Sequence, residues 1–159
     1  MRSKRALREC SVFEALDDTE LDRLDALTTA KEYEAGTTVF GEGSVAEALY
    51  VLESGKLAIQ MQIPMSQEQL SKKVTVDIVS ANEVFGWSAV VVPYRYTLTA
   101  VCLEHSSVLA IDAVKLRTLL QDDIRIGYEV LSRLTGVVAS RLDQTRHVLI
   151  SERLLSTRA

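Results

Sequence analysis

The residue types best suited to chemistry lie in one short stretch, where a glycine and a serine are followed by an arginine. Gly86 and Ser88 flank Trp87, and Arg95 follows a few residues later. A glycine-led turn lets backbone N–H groups approach a ligand, and an arginine presents a fork of donors that matches an oxyanion. The stretch therefore predicts a binding site for a small anion.

Catalytic and metal-binding patterns are missing from the sequence. No serine, cysteine or paired carboxylate stands in a recognisable nucleophilic or acid–base arrangement. Cys10 and Cys102 are far apart in the chain, as are His105 and His147, whereas zinc sites usually contain at least one short pair of ligands. We therefore predict no enzyme, no catalytic residue and no metal site, and the two cysteines fit thiols in a reducing cytosol.

Length and charge narrow the classes of protein further. The chain has 159 residues, a net charge of −4 and 47% hydrophobic residues, which is typical of one ordinary globular domain. It contains no apolar run near the roughly 20 residues that cross a bilayer, and no apolar signal-peptide core follows the basic start at Met1. We expect a cytoplasmic protein without a membrane segment, and the acidic balance argues against a nucleic-acid binder.

The sequence predicts helices and short strands on both sides of the stretch from Gly86 to Arg95, and these elements must position it. Residues 1–30 are predicted to be helical, with a capping box that begins at Asp17 and ends at Glu20. Residues 31–111 are rich in short β-branched and aromatic runs separated by glycines, which indicates a sandwich or small barrel. The predicted strands are Thr37–Phe40, Ala48–Leu52, Lys56–Gln62, Val74–Val79, Tyr96–Leu103 and Val108–Ile111, with a polar loop at Pro64–Lys73.

Residues 112–157 return to helical periodicity. Asp112 is predicted to cap a short helix that runs through Leu120, and Asp122 and Asp123 to cap a long one. One apolar face of the long helix is predicted from Leu131, Leu134, Val138, Leu142, Thr145 and Leu149. A solvated face is predicted from the arginines at 125, 133, 141, 146, 153 and 158.

Two stretches within this order carry a family resemblance. In residues 39–59, Gly43 and Gly55 bracket a strand that contains Tyr50, and residues 82–101 hold the Gly86 turn followed by Pro93 and Arg95. Together they resemble the cyclic nucleotide-binding domains, and most of all the sensor half of the catabolite-activator/fumarate-nitrate-regulator superfamily. The resemblance implies an α+β fold over a single domain, residues 1–159. That fold is a double-stranded β-helix, a jelly-roll-like β-roll, flanked by N-terminal helices and a long C-terminal helix.

The resemblance also implies a ligand site, in the stretch that we term the cassette (residues 85–97). The implied ligand is a cyclic nucleotide, cAMP or cGMP, or a similar small anion. In the family, an acidic residue after the glycine accepts the ribose hydroxyl and an arginine pairs with the phosphate. Here Trp87 takes the acidic position, and its ring N–H cannot accept a hydrogen bond. The implied ligand-binding residues are Phe85, Gly86, Trp87, Ser88, Ala89, Arg95, Tyr96 and Thr97.

The family's arginine has two possible counterparts in this chain. Alignment on Phe85 and Gly86 places Arg95 one residue early, whereas alignment on residues 98–103 puts Tyr96 at that position. A shift of one residue in a strand reverses the face toward which a side chain points. Either Arg95 reaches the pocket or the pocket lacks its cation.

Two functions remain open. In the first, the chain is a sensor that binds its ligand in the roll and signals through the long helix to a dimer partner or to another protein. In the second, the same fold is a degenerate, nucleotide-independent scaffold for dimerisation. The resemblance implies a homodimer through the C-terminal helix. Because regulators of this kind append a helix-turn-helix after that helix, and the sequence ends at Ala159, we expect no direct DNA binding.

Overall fold

The computed structural model describes residues 2–64 and 71–156. In these ranges four α-helices and two 3₁₀ turns enclose eight strands. The helices are α1 (Arg2–Glu9), α2 (Asp18–Asp25), α3 (Ala113–Asp122) and α4 (Ile124–Ser156), and the 3₁₀ turns are Ser11–Phe13 and Trp87–Val90. None of the described helices is both long enough and apolar enough to span a membrane.

The strands form two four-stranded antiparallel sheets, ordered β1-β8-β3-β6 and β2-β7-β4-β5. This arrangement confirms the predicted α+β fold, a β-roll flanked by N-terminal helices and a long C-terminal helix. The bounds are β1 (Thr28–Tyr33), β2 (Thr38–Phe40), β3 (Ala48–Ser54), β4 (Leu57–Pro64), β5 (Ser71–Val79), β6 (Val84–Phe85), β7 (Thr99–Cys102) and β8 (Ser106–Asp112).

Helix α2 begins where its predicted cap places it, but the N-terminal helical segment ends earlier than expected. Asp17 accepts a hydrogen bond from the Glu20 backbone N–H at 2.8 Å, and the Glu20 carboxylate accepts one from the Asp17 N–H at 3.0 Å, which confirms the capping box. The chain then becomes extended at Thr28, inside the segment predicted to be helical. The reason lies in the tertiary structure, because β1 pairs with β8 along its whole length. The residues of β1 alone do not indicate a strand, since most of them are exposed and buried and exposed positions do not alternate.

Two predictions need correction, the strand that follows the cassette and the loop between β4 and β5. The strand predicted for Tyr96–Leu103 is confined to Thr99–Cys102, because the Tyr96 backbone bonds to the 43–44 turn instead of to a strand. Within the predicted loop Pro64–Lys73, Pro64 belongs to β4 and pairs with Ser71, the first residue of β5. Residues 65–70 of that loop lie outside the described residues.

The inward faces of the two sheets meet around an aromatic stack. Phe40 lies against Tyr96 with ring centroids 3.7 Å apart, and against Tyr50 at 5.8 Å. Tyr50 in turn lies 5.1 Å from Phe85. These rings contribute large buried apolar areas, and they join β2, β3 and β6 directly to the cassette.

The C-terminal helices begin as their aspartates predict. The Asp112 carboxylate accepts a hydrogen bond from the Lys115 N–H at 2.9 Å, and the Asp123 carboxylate accepts one from the Ile126 N–H at 3.1 Å. The apolar face predicted for the long helix is only partly right. Leu134 is buried against the domain, whereas Leu131 and Leu142 are exposed.

Helix α4 therefore carries two apolar faces. The first packs on the domain through Ile126, Val130 and Leu134. The second is a stripe, exposed except for the half-buried Val138, with the alternating spacing of four and three residues that is typical of a coiled-coil seam. We call it the α4 seam, and it consists of Ile124, Tyr128, Leu131, Thr135, Val138 and Leu142.

Candidate functional site

The cassette begins with a backbone turn that requires glycine. Gly86 follows β6 with φ at +77°, in the left-handed region that side chains other than glycine rarely adopt. A Cβ atom there would lie 3.2 Å from ring atoms of Phe40 and Tyr50, and 3.3 Å from the Tyr96 ring. Gly86 thus allows the chain to turn directly over the aromatic stack and into the 3₁₀ turn at Trp87–Val90.

A small roll cavity lies between this turn, β4 and α4. Its volume is about 30 Å³, room for only one or two water molecules, each of which needs about 10–15 Å³. Pockets that enclose drug-sized molecules have volumes of about 300–1,000 Å³. The residues that line the roll cavity are Phe40, Ile59, Gly86, Trp87, Ser88, Tyr96, Thr97, Leu98 and Arg141.

Tyr96 fills much of the space beside Gly86. Its side chain is buried, its ring stacks on Phe40, and its hydroxyl donates to the Ala48 carbonyl at 2.6 Å. The Ala48 N–H donates to the same hydroxyl at 3.3 Å. Burial raises the pKa of Tyr96, so the phenol stays neutral and adds no charge to the cavity.

Arg95 lies on the other side of the cassette backbone. Its side chain is exposed, its Nη1 donates to the Gly43 carbonyl at 3.0 Å, and its backbone forms an isolated bridge with Val45. Arg95 does not line the roll cavity. The opposite directions of Arg95 and Tyr96 follow from the extended backbone, in which successive side chains alternate.

The cation at the roll cavity comes from the long helix. Arg141 was predicted to be solvated, and that prediction is wrong, because its side chain is only 10% exposed. Its Nε lies 2.8 Å from an Asp77 carboxylate oxygen, its Nη2 lies 3.8 Å from Glu83, and its Cζ lies 5.0 Å from the Trp87 ring centroid. Its buried Nη1 has no hydrogen-bond partner among the described residues.

Burial dominates the electrostatics of this cluster. It lowers the pKa of Arg141, against the attraction of Asp77 and Glu83. It also raises the pKa of Asp77, although the Arg141 charge and the Ile78 N–H favour the carboxylate. One cation between two carboxylates is already neutralised, so a further anion gains little from it.

Sequence reasoning could have found Arg141 by its position on the helix. It follows Leu134 by seven residues, and Ile126, Val130 and Leu134 precede it at intervals of four. It therefore lies on the same face as three buried apolar residues. A long side chain that covers an apolar surface with its stem is compatible with that face.

The structure brings most of the sequence-predicted site residues together. Gly86, Trp87, Ser88, Tyr96 and Thr97 line the roll cavity. Phe85, at the end of β6, and Ala89, within the 3₁₀ turn, are both buried. Arg95 is the one member that faces elsewhere, and ligand contact by any of the eight stays a prediction.

Metal and thiol chemistry find no support in the described residues. Residues 2–64 and 71–156 contain no group of three or more histidines, cysteines or carboxylates that could hold a metal ion. Cys10 and Cys102 are both buried and free. Burial raises the pKa of the Cys10 thiol to about 11, which disfavours the reactive thiolate.

Comparison with known proteins identifies the arrangement. Residues 30–123 match the family model described as the cyclic nucleotide-binding domain. Over 143 residues the chain is 25% identical to the CRP-like cAMP-activated global transcriptional regulator of Mycobacterium tuberculosis. That match covers 90% of this chain and 60% of the relative, so the chain spans less than two thirds of the length of the curated protein it resembles.

Solved structures show the same fold. A cyclic nucleotide-binding domain from Methylobacillus flagellatus superposes with a TM-score of 0.79 at 15% identity, covering 94% of this chain and 85% of that one. The N-terminal domain of a transcriptional regulator from Streptomyces coelicolor gives a TM-score of 0.67 at 26% identity, with coverages of 91% and 94%.

Proposed function

Because the chain belongs to the cyclic nucleotide-binding domain family, we propose that it is a regulatory module of that family that works without a nucleotide in its β-roll. Its output passes through a homodimer formed by α4, or through a separate protein partner docked on the domain. The observation that carries the proposal is the filling of the roll cavity by the chain's own side chains.

Two features of the filled roll cavity support a function without a nucleotide, namely its small volume and the hydrogen bonds that hold Tyr96 in place. A cavity of about 30 Å³ is an order of magnitude smaller than the roughly 300 Å³ at the lower end of small-molecule pockets. Opening it requires Tyr96 to leave Phe40 and to give up both of its bonds to the Ala48 backbone. Each broken buried bond costs about 1 kcal/mol or more.

The charges of the cavity support the same conclusion. The position that carries a ribose acceptor in the family holds Trp87, and the guanidinium of Arg95 bonds to Gly43 outside the cavity. Arg141 is the cation inside, and it is shared between Asp77 and Glu83. A cyclic phosphate would therefore meet a cavity without an uncompensated positive charge, which is unfavourable for a buried anion.

The α4 seam supports a dimer as the output. Ile124 is 82% exposed, Tyr128 71% and Leu142 54%, which is high for large apolar side chains in a regular heptad spacing. Two copies of this helix would bury the α4 seam side by side. Arg141 lies on the other face of the helix, the one that packs on the domain, so each monomer would connect the dimer seam to the cassette through one helix.

Nucleotide sensing is the second candidate, and one observation favours it. The Gly86 turn leads into a 3₁₀ turn over the cavity, and such a turn presents backbone N–H groups in the manner of an anion-binding site. The mycobacterial relative is a cAMP-activated regulator. By this hypothesis, cAMP or cGMP displaces Tyr96 and Trp87 on binding.

Nucleotide titration separates the two candidates. Trp87 is the only tryptophan of the chain, so its fluorescence reports directly on the roll cavity. We expect neither cAMP nor cGMP to change that fluorescence or to release heat in calorimetry. Saturable heat together with a change in Trp87 fluorescence would overturn nucleotide independence and establish the sensor.

A double variant provides the positive control. Trp87→Glu with Tyr96→Arg restores the acceptor and the cation that the family pattern contains, and it removes the ring that fills the cavity. We expect this variant to bind cAMP while the wild type does not. A thermal melt of the variant with a single cooperative transition establishes that it is folded when the calorimetry is done.

A further inference from the structure

A second and larger opening lies on the other side of the cassette, and we call it the lateral cleft. Its volume is about 670 Å³, within the range of about 300–1,000 Å³ that is common for small-molecule sites. It shares no lining residue with the roll cavity. Tyr50 lines the cleft and stacks on Phe40, which lines the cavity, so the two spaces lie on opposite sides of one aromatic layer.

The lateral cleft has room because its floor is built from alanines. Ala46, Ala48, Ala110 and Ala113 line it, and each is less than 8% exposed. Ala48 and Ala110 lie on the inward faces of neighbouring strands, where larger side chains would close the space between sheet and cassette. The floor is therefore made of small apolar side chains, and a largely apolar lining is common in ligand sites.

Three cationic side chains line the lateral cleft around this floor. Lys31 extends from β1, Arg95 from the cassette and Arg117 from α3, and the cleft also holds the carboxylates of Glu47 and Asp112. The sum is +1, in a chain whose net charge is −4. The Asp112 carboxylate already accepts a hydrogen bond from the Lys115 N–H as the cap of α3, which weakens its attraction to the three cations.

The two arginines are held in place by their own contacts. Arg117 lies with its Cζ 3.9 Å from the Tyr94 ring centroid, and its Nη1 donates to the Ala89 carbonyl at 2.6 Å. Arg95 uses one N–H for the Gly43 carbonyl, and a guanidinium has five. Anchored arginines with remaining donors lose little side-chain freedom when they bind an oxyanion.

The backbone of the cassette fixes the direction of Arg95. Tyr94 has φ at +59°, and its carbonyl accepts a hydrogen bond from the Ala46 N–H at 2.8 Å. A left-handed conformation at a bulky residue costs of the order of 1–3 kcal/mol, and such conformations cluster at binding sites. Together with the alternation of successive side chains, this conformation directs Arg95 to the lateral cleft and Tyr96 to the roll cavity.

We propose that the lateral cleft binds a small organic anion, with a carboxylate or phosphate group held by Lys31, Arg95 and Arg117 and an apolar body resting on the alanine floor. Arg95 would thus bind a ligand in the lateral cleft, whereas the family pattern places the cassette arginine at the roll cavity. The proposal does not depend on how the roll cavity is used. A ligand here contacts both the cassette and α3, which are joined by Arg117.

The test is a titration followed by amide chemical shifts of the full chain, with phenyl phosphate, benzoate and uncharged benzyl alcohol as probes. We expect saturable shifts of the Ala46, Arg95 and Ala113 amides with an anionic probe at about 10 mM, where a site of millimolar affinity is largely filled. The tighter of the two anions identifies the head group. Lys31→Gln and Arg95→Gln should each weaken binding about tenfold, the loss of one charge-assisted hydrogen bond.

The matched control is Lys56→Gln, which removes an exposed cation outside the lateral cleft. We expect it to leave the affinity unchanged. The proposal is overturned if benzyl alcohol binds as tightly as the anions, if Lys56→Gln weakens binding as much as Arg95→Gln, or if neither anion produces saturable shifts. Nucleotide binding in the roll cavity would instead appear in Trp87 fluorescence, so the two outcomes are distinguishable.

Discussion

The guanidinium of Arg141 lies over the indole ring of Trp87, with 5.0 Å between its Cζ and the ring centroid. This contact connects the middle of α4 to the first residue after the Gly86 turn. Asp77 on β5 holds the same guanidinium from a second side, at 2.8 Å. One buried side chain of the long helix therefore contacts both the cassette and β5.

Replacing Arg141 with methionine should destabilise the domain by about 3 kcal/mol at pH 7, because it leaves the Asp77 carboxylate buried without its cationic partner and, in the described part of the chain, with only the Ile78 N–H as a donor. The pKa of Asp77 is already raised by burial and rises further in the variant. A carboxyl with a raised folded-state pKa contributes stability at low pH, and this contribution is lost as the pH rises through that pKa. The deficit relative to wild type should therefore shrink as the pH falls from 7 toward the ordinary aspartate range near about 4, measured by urea unfolding.

The control for this prediction is the double variant Arg141→Met with Asp77→Asn. Removing both partners avoids the unpaired charge, so the double variant should lose less stability at pH 7 than Arg141→Met alone. A deficit that is the same at every pH, or a double variant as unstable as the single one, would contradict the assignment of Asp77 as the principal partner.

A pair of glycines on α4 tests how that helix is held against α3. A Cβ at Gly127 would lie 2.3 Å from the Leu120 carbonyl oxygen, whereas a Cβ at Gly136 would meet nothing within 4 Å. Gly127→Ala should therefore destabilise the domain by about 2 kcal/mol through overpacking. Gly136→Ala should stabilise it by about 0.5–1 kcal/mol through helix propensity. Urea unfolding measures both, and equal effects of the two changes would contradict the close approach of α3 and α4.

Sequence patterns predicted the helix starts and the cassette turn correctly, because capping and glycine conformation depend on neighbouring residues alone. Asp17, Asp112 and Asp123 cap the helices that their positions indicate, and Gly86 adopts the left-handed turn on which the cassette depends. Local patterns failed for β1, whose exposed residues become a strand only because β8 offers a partner.

The candidate site was harder to predict, for two physical reasons. The choice between Arg95 and Tyr96 depends on the path of the loop through Tyr94, whose φ is positive, and strand alternation alone leaves both registers open. Arg141 is distant in sequence from Trp87 and Asp77, so its contacts with them follow from tertiary packing, although its place on the buried face of α4 indicates its burial.

Removing the Tyr96 hydroxyl tests how firmly the roll cavity is closed. Tyr96→Phe keeps the stack on Phe40 but loses the two bonds to the Ala48 backbone. We expect a loss of about 1–2 kcal/mol in the free energy of unfolding, since Ala48 is buried and its polar groups lose a partner. Tyr33→Phe is the matched control, on a half-buried ring at the end of β1, and should change stability by less than about 0.5 kcal/mol. Comparable losses in both variants would show that the Tyr96 hydroxyl does not fasten the ring.

The proposed dimer is tested at the α4 seam. Val138→Glu and Leu142→Glu each place a charge among the exposed apolar residues of the seam, where a second copy would have to desolvate it. Sedimentation equilibrium of the wild type should give twice the 17.6 kDa chain mass, and each variant should shift the equilibrium toward the monomer. Ser140→Glu is the control, because Ser140 is exposed on α4 away from the seam and beside the groove that Arg133 and Arg141 line, and it should remain a dimer. If Leu142→Glu and Ser140→Glu have the same mass, the seam is not the dimer interface, and the proposed output through α4 fails.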